Sequence, residues 1–227
     1  MRKFCTLHIR IRHHTHRAGC VFYARVPVRR LDGAWTEGYN ARQKKPDQED
    51  AMDKKAVETQ LCALPISQYA WIDSQTLVFS DRIRYVCEHE CTMYGKSWAC
   101  PPAVGSVAAC RQKALSYPAG LVFTTLCEVE DIANIEQTLA TRKPHEEITR
   151  QVRDILLQQS PDVLTLSTEA CAICAQCSYP DGPCRHPDRM FPCVESYGIV
   201  ATDLAEKNSI EFYNGNLVTW FSVLLYR

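Results

Sequence analysis

No stretch of the chain approaches the roughly 20 apolar residues that a membrane-spanning helix needs. The most apolar run, Leu217 to Tyr226, has only the length of a strand. Net charge is also missing, because 26 Lys and Arg balance 26 Asp and Glu. That balance gives no global electrostatic case for nucleic acid or an anionic membrane, and we expect neither as a partner. The sequence lacks a Gly-rich phosphate loop, a Ser nucleophile elbow and a His-Glu-x-x-His helix, which removes three common routes to catalysis. It shows no internal repeat and no low-complexity tract. The basic N-terminus lacks the apolar centre and small-residue cleavage site of a secretory signal, so we expect a cytoplasmic protein.

What is present is enough for one domain with a proper core: 227 residues, 46% hydrophobic and 23% charged. The zero net charge hides an asymmetry. Residues 1–51 hold 11 Lys and Arg against 5 Asp and Glu, along with four of the seven histidines, His8, His13, His14 and His16. They lack sustained periodicity and end in a polar, charged stretch before Met52. We read 1–51 as disordered or not part of the native protein, with Met52 as the start, and 52–227 as a single cysteine-rich domain. A transit peptide is the rival reading, weakened by the absence of serine from this segment; a basic RNA-binding arm is a third.

Periodicity within 52–227 alternates between strand and helix. A helix is expected from Asp53 through Leu61. Thr76–Phe79 and Ile83–Val86 are short β-rich runs, read as strands. Ser106 should cap a helix to Ser116, and Gly120–Leu126 is the clearest buried strand. Helical spacing covers Asp131–Leu139 and Pro144–Leu157, the latter with Ile148, Val152, Ile155 and Leu156 on one stripe. Val163–Leu166 reads as a strand and Ile199–Lys207 as a helix. An Asn-Gly between Glu211–Tyr213 and Leu217–Tyr226 signals a hairpin. The expected fold is therefore α/β or α+β: a mixed β-sheet flanked by helices, with cysteine-rich metal-binding loops and a C-terminal β-hairpin.

The 13 cysteines carry the chemistry. In a reducing compartment such density points to metal binding or catalysis rather than disulfides, and an odd count argues against a purely disulfide framework. Cys171, Cys174 and Cys177 form C-x2-C-x2-C, with Cys184 six residues further on beside Pro183. Two-residue spacers let a tight loop wrap one corner of an iron–sulfur cluster, with backbone N–H groups turned toward the sulfides. Zinc sites favour separated pairs, so three evenly spaced cysteines suit iron–sulfur better. Cys87, Cys91 and Cys100 form a second group, with Gly95 allowing the turn between the last two and Pro101-Pro102 expected to hold the chain extended after Cys100. These three could complete a shared site or hold a cluster of their own, in which one iron would be open to substrate, water or His89.

The other candidates carry plainer readings. Cys110 and Cys127 read as core residues, and Cys62 lies outside both groups. Cys193 is a fallback ligand for the four-cysteine run. His186 could act as a ligand or support one. His145, beside Pro144, reads as a surface helix residue. Lys96, Arg185 and Arg189 are either surface charge or compensation for a cluster's negative charge. Trp98 reads as packing near the loop.

At these residues the sequence resembles the predicted metal-binding proteins grouped as the domain of unknown function numbered 2284. The resemblance rests on Cys87-x3-Cys91 with Tyr94-Gly95, on Cys100-Pro101-Pro102, on Cys171-x2-Cys174-x2-Cys177 leading to Pro183-Cys184-Arg185-His186-Pro187, and on Glu195-Ser196-Tyr197-Gly198-Ile199. It runs from about Tyr69 to the C-terminus. It implies metal binding without a reaction, and its pattern does not require cysteine at position 193. We therefore expect a cytoplasmic protein with one or two [4Fe-4S] clusters, acting in electron transfer or redox support of a partner protein. An enzyme with an open iron at Cys87, Cys91 and Cys100 is one alternative; a structural zinc module that binds a partner is another.

Overall fold

In a computed structural model, residues 29–30, 52–213 and 215–227 are described. Readings that fall on the rest of 1–51, including those on its histidines and on Cys5 and Cys20, lie outside them.

The two longest apolar runs form the middle of the sheet. Strands β3 (Ala119–Glu128) and β5 (Leu217–Tyr226) pair antiparallel over ten residues, from Ala119 opposite Tyr226 to Glu128 opposite Leu217. Both are buried on both faces, which is why they read as continuous apolar runs rather than alternating ones. β2 (Gln68–Asp73) flanks β3 antiparallel, and β4 (Val163–Leu166) flanks β5 antiparallel. A two-residue strand, β1 (Arg29–Arg30), lies parallel to β2 and makes the sheet mixed, in the order β1-β2-β3-β5-β4. Gly120 permits the close approach of β5: a Cβ there would meet Leu225 Cδ2 at 2.6 Å and the Leu224 carbonyl at 2.9 Å.

Helices cover both faces. Helix α1 (Lys54–Leu61), capped by Asp53, and α5 (Arg142–Leu157) set Val57, Leu61, Val152 and Leu156 against Leu121, Phe123 and Leu224. On the other face, α3 (Val107–Leu115) and α6 (Ala201–Lys207) set Cys110, Ala114 and Leu204 against Val122, Leu164, Leu166 and Val223. This three-layer α+β arrangement agrees with the expected class. Among the described residues, no helix is long and apolar enough to cross a membrane.

Several local expectations are corrected. Ile83–Val86 is not a strand but part of helix α2 (Asp81–His89). Ser80 caps that helix by accepting from Arg82 N, and the cap outweighs the β-rich composition. Thr76–Phe79 follows a 3-10 turn at Ser74–Thr76 and pairs only as a single bridge, Phe79 with Ile199. Helix α4 (Ile135–Ala140) starts later than expected because Asn134 caps it, accepting from Gln137 N at 3.1 Å. The hairpin arm Glu211–Tyr213 is not a strand. Glu211 instead exchanges two 2.9 Å hydrogen bonds with the Gln68 side chain. Asn216 meanwhile turns to β3's end, its carbonyl accepting from Val129 N at 2.9 Å and its side chain donating to Glu130 O. The chain after Cys100 is not extended either: Pro101-Pro102 is a cis peptide inside a turn closed by Gly105 N donating to Pro102 O at 3.0 Å.

Candidate metal centre

Two irregular segments meet beside the sheet. One runs from the end of α2 to α3, residues 90–106. The other, residues 167–194, leaves the end of β4 and returns to a 3-10 turn at Glu195–Tyr197. The return is fixed by a parallel bridge between Ser167 and Cys193, with Ser167 N donating to Pro192 O and Val194 N to Ser167 O. Helix α5 braces the outgoing loop: Arg153 donates to Asp188 O at 3.0 Å, and Arg150 and Arg153 lie over the Phe191 ring.

Cys171, Cys174, Cys177 and Cys184 line one pocket of about 400 Å³, so the fold brings the four-cysteine run together. Met93, Lys96, Ser97 and Trp98 close it from the first segment, and Arg142, Arg185 and His186 bring positive or ionisable groups to its wall. Trp98 packs as expected, its ring edge-on to Tyr179 at 4.9 Å and its Nε1–H donating to Gly182 O at 3.0 Å. Arg185 is held by donation to Gln176 O at 2.9 Å.

The sulfurs sit among N–H donors. Burial would raise the Cys177 thiol, but hydrogen bonds from the backbone N–H of Tyr179 and Trp98, from the Ser97 hydroxyl and from Ser178 N–H outweigh it and lower the pKa. His186 N donates to Cys184 Sγ at 3.4 Å. Cys171 is raised, first by burial; Ile173 N–H opposes this, while Glu146, Cys184 and Cys174 add to it. Glu146 is itself buried, raised by that burial and partly offset by Arg150 at 3.2 Å and by Arg142.

Cys87, Cys91 and Cys100 gather separately, next to that pocket. Cys100, 4% exposed, is pushed up to about 11, first by burial and then by Cys91, with Cys87 and Glu169 adding to it. Cys87 is raised by burial and by Cys91, with Arg84 opposing. Ser97 lies between the two groups, its hydroxyl near enough to lower either Cys100 or Cys177, with one proton to give to one of them at a time. His89 turns back onto its own helix, with Nδ1 against Tyr85 O at 2.9 Å and its ring stacked on Tyr85.

Sequence reasoning missed Ser97 and placed Cys193 and His145 differently. Cys193 is buried beside the second group rather than the first. Ser97 had no motif to mark it. His145 is fully buried rather than on the surface, with Nδ1 against Thr125 Oγ1 and Nε2 against Ser222 Oγ, both at 2.8 Å. Its spacing from Ile148 and Val152 places it on the stripe already seen, so that signal was available. Cys110 and Cys127 are both buried as expected, but Cys127 is disulfide-bonded rather than a free thiol, which departs from the expected reduced set.

The donor set has the character that a thiophilic metal group requires. Among the described residues, no three or more His, Cys, Asp or Glu side chains stand in an arrangement that would hold a metal ion. The four thiols line one pocket, with N–H groups directed at Cys177 and Cys184, which suits a thiophilic metal group in general.

These features define a mixed-sheet α+β protein that presents two adjoining thiol-rich loops. The chain belongs to the family described as predicted metal-binding protein (DUF2284), which it matches over residues 70–226. No curated protein and no solved structure matches it.

Proposed function

We propose that the chain binds a [4Fe-4S] cluster at Cys171, Cys174, Cys177 and Cys184, and a second metal group at Cys87, Cys91 and Cys100. Its role in this reading is electron transfer or redox support of a partner protein. The observation that carries it is the pocket lined by all four cysteines of one short loop, with backbone N–H groups and the Ser97 hydroxyl directed at its sulfurs. A bound cluster would supply one-electron redox chemistry. Lys96, Arg142 and Arg185 bring positive charge to the pocket wall, which favours the reduced, more negative state and raises the potential. In this reading Ser97 links the sites, because its single hydroxyl proton can serve either sulfur group.

The test is anaerobic purification of the full chain, with iron, zinc and acid-labile sulfide assays and a visible spectrum. A brown protein with iron and sulfide in equal amounts is expected. A colourless, zinc-loaded protein without sulfide would sink the proposal and leave the zinc module.

A further inference from the structure

Cys193 lies outside the spacing of both cysteine motifs, yet the fold carries it to the second of them. The bridge to Ser167 fixes it at the end of β4, where it is 8% exposed. The helix that carries Cys87 is clamped to the same place. Arg84, three residues before Cys87, donates from Nη2 to Ser196 O and from Nη1 to Gly105 O at 2.7 Å. Thus Cys87 on one side of the clamp and Cys193 on the other are tied to a common anchor. Cys193 lies close enough to Cys100 for a charge on one to oppose a charge on the other, and Cys100 in turn to Cys87 and Cys91. Its sulfur accepts the Ser196 N–H at 3.2 Å, the type of donor that offsets negative charge on a ligating thiolate.

We propose that Cys193 is the fourth thiolate of the second site, joining Cys87, Cys91 and Cys100 to hold a cluster entirely by cysteine. The inference rests on the function proposed above and deepens it. With four thiolates the second site has no open iron for a substrate, so it serves as an electron relay beside the first. Each thiol gives its proton to solvent as its metal–sulfur bond forms.

The test uses the full chain, purified anaerobically as wild type and as Cys193→Ala, Cys193→Ser, Cys184→Ala and Cys110→Ala. Iron and sulfide per chain are measured, and electron paramagnetic resonance is recorded before and after reduction. The expected wild type holds two clusters. Cys193→Ala should lose half the iron, or convert one cluster to a three-iron form with its own signal in the oxidised state. Cys193→Ser keeps the side chain's size and guards against simple misfolding; with circular dichroism unchanged, it should still alter the second cluster's signal. Cys110→Ala, a buried cysteine outside both groups, should keep both clusters. A wild type whose only cluster is lost in Cys184→Ala but kept in Cys193→Ala overturns this inference and leaves standing the proposed cluster at Cys171, Cys174, Cys177 and Cys184. Two clusters unchanged in Cys193→Ala and Cys193→Ser also overturn it. A wild type with neither iron nor sulfide overturns both.

Discussion

The two thiol groups are neighbours, yet their surroundings oppose each other. Around Cys177, three backbone N–H groups and a hydroxyl stabilise negative sulfur and lower the pKa. Around Cys100, burial, two adjacent thiols and Glu169 push the pKa up to about 11, with only Ser97 opposing. In the first loop the donors favour a negative sulfur at Cys177, although burial raises Cys171. In the second, burial raises both Cys87 and Cys100 and favours their neutral thiols. Short spacing and N–H donors make the first site a local property of one loop. The second is tertiary, assembled from α2, the turn at Pro101-Pro102 and the returning strand end.

The sharpest way to break this comparison is to remove one thiol from each group. Cys184→Ala should abolish metal at the first site and Cys100→Ala at the second, each leaving the other occupied by iron and sulfide assay. Loss of both from either substitution would mean one shared site.

Acid tests the frame separately from the sites. His145 is held near pKa 3 by burial, against 6.5 for the ordinary side chain. The unfolded chain therefore binds the proton more readily across that interval. This contribution to stability is complete above pH 6.5 and is lost as pH falls toward 3, at up to about 1.4 kcal/mol per pH unit. Denaturant unfolding of the metal-free protein between pH 7 and 4 should show this limb, and His145→Gln should flatten it.

Within the range where the frame holds, the second site should empty first as pH falls. Metal must displace protons from Cys87, Cys100 and Cys193, all raised by burial. Metal retained by Cys184→Ala after dialysis at pH 8 and pH 6 should fall more than that retained by Cys100→Ala; equal losses would erase the contrast.

Ser97→Ala should have the smallest effect and touch both sites. The hydroxyl has one proton to donate, so its loss costs about 1 kcal/mol spread over the two sulfurs, a few-fold weakening of metal retention at most. A loss confined to one site would show that Ser97 serves only that sulfur.

That the four-cysteine run would line one pocket was legible because its cysteines are close in sequence and their spacing keeps them within one loop. The second group was less legible, since the position of Cys193 beside it depends on the Ser167 bridge and the Arg84 clamp, neither of which leaves a motif. The long strands and α3, α5 and β4 followed from apolar runs, helical stripes and Ser106. The errors came where a single side chain outweighed composition. Ser80 turned a β-rich run into α2, and Asn216 spent its hydrogen bonds on β3's end instead of a hairpin. Proline beside His145 suggested a surface position, although its spacing from Ile148 pointed inward.

The sheet order carries a consequence for assembly. β5 is the last strand in the chain, and it lies between β3 and β4. Until residues 217–226 have left the ribosome, β4 has no ladder partner, and the cysteine loop that hangs from its end has no fixed anchor. Ser222, which completes the hydrogen-bond chain from His145 to Ser167, arrives only then. In the proposed function, metal loading would therefore follow synthesis of β5, since a nascent chain stalled before it offers its thiols to solvent without a scaffold to gather them.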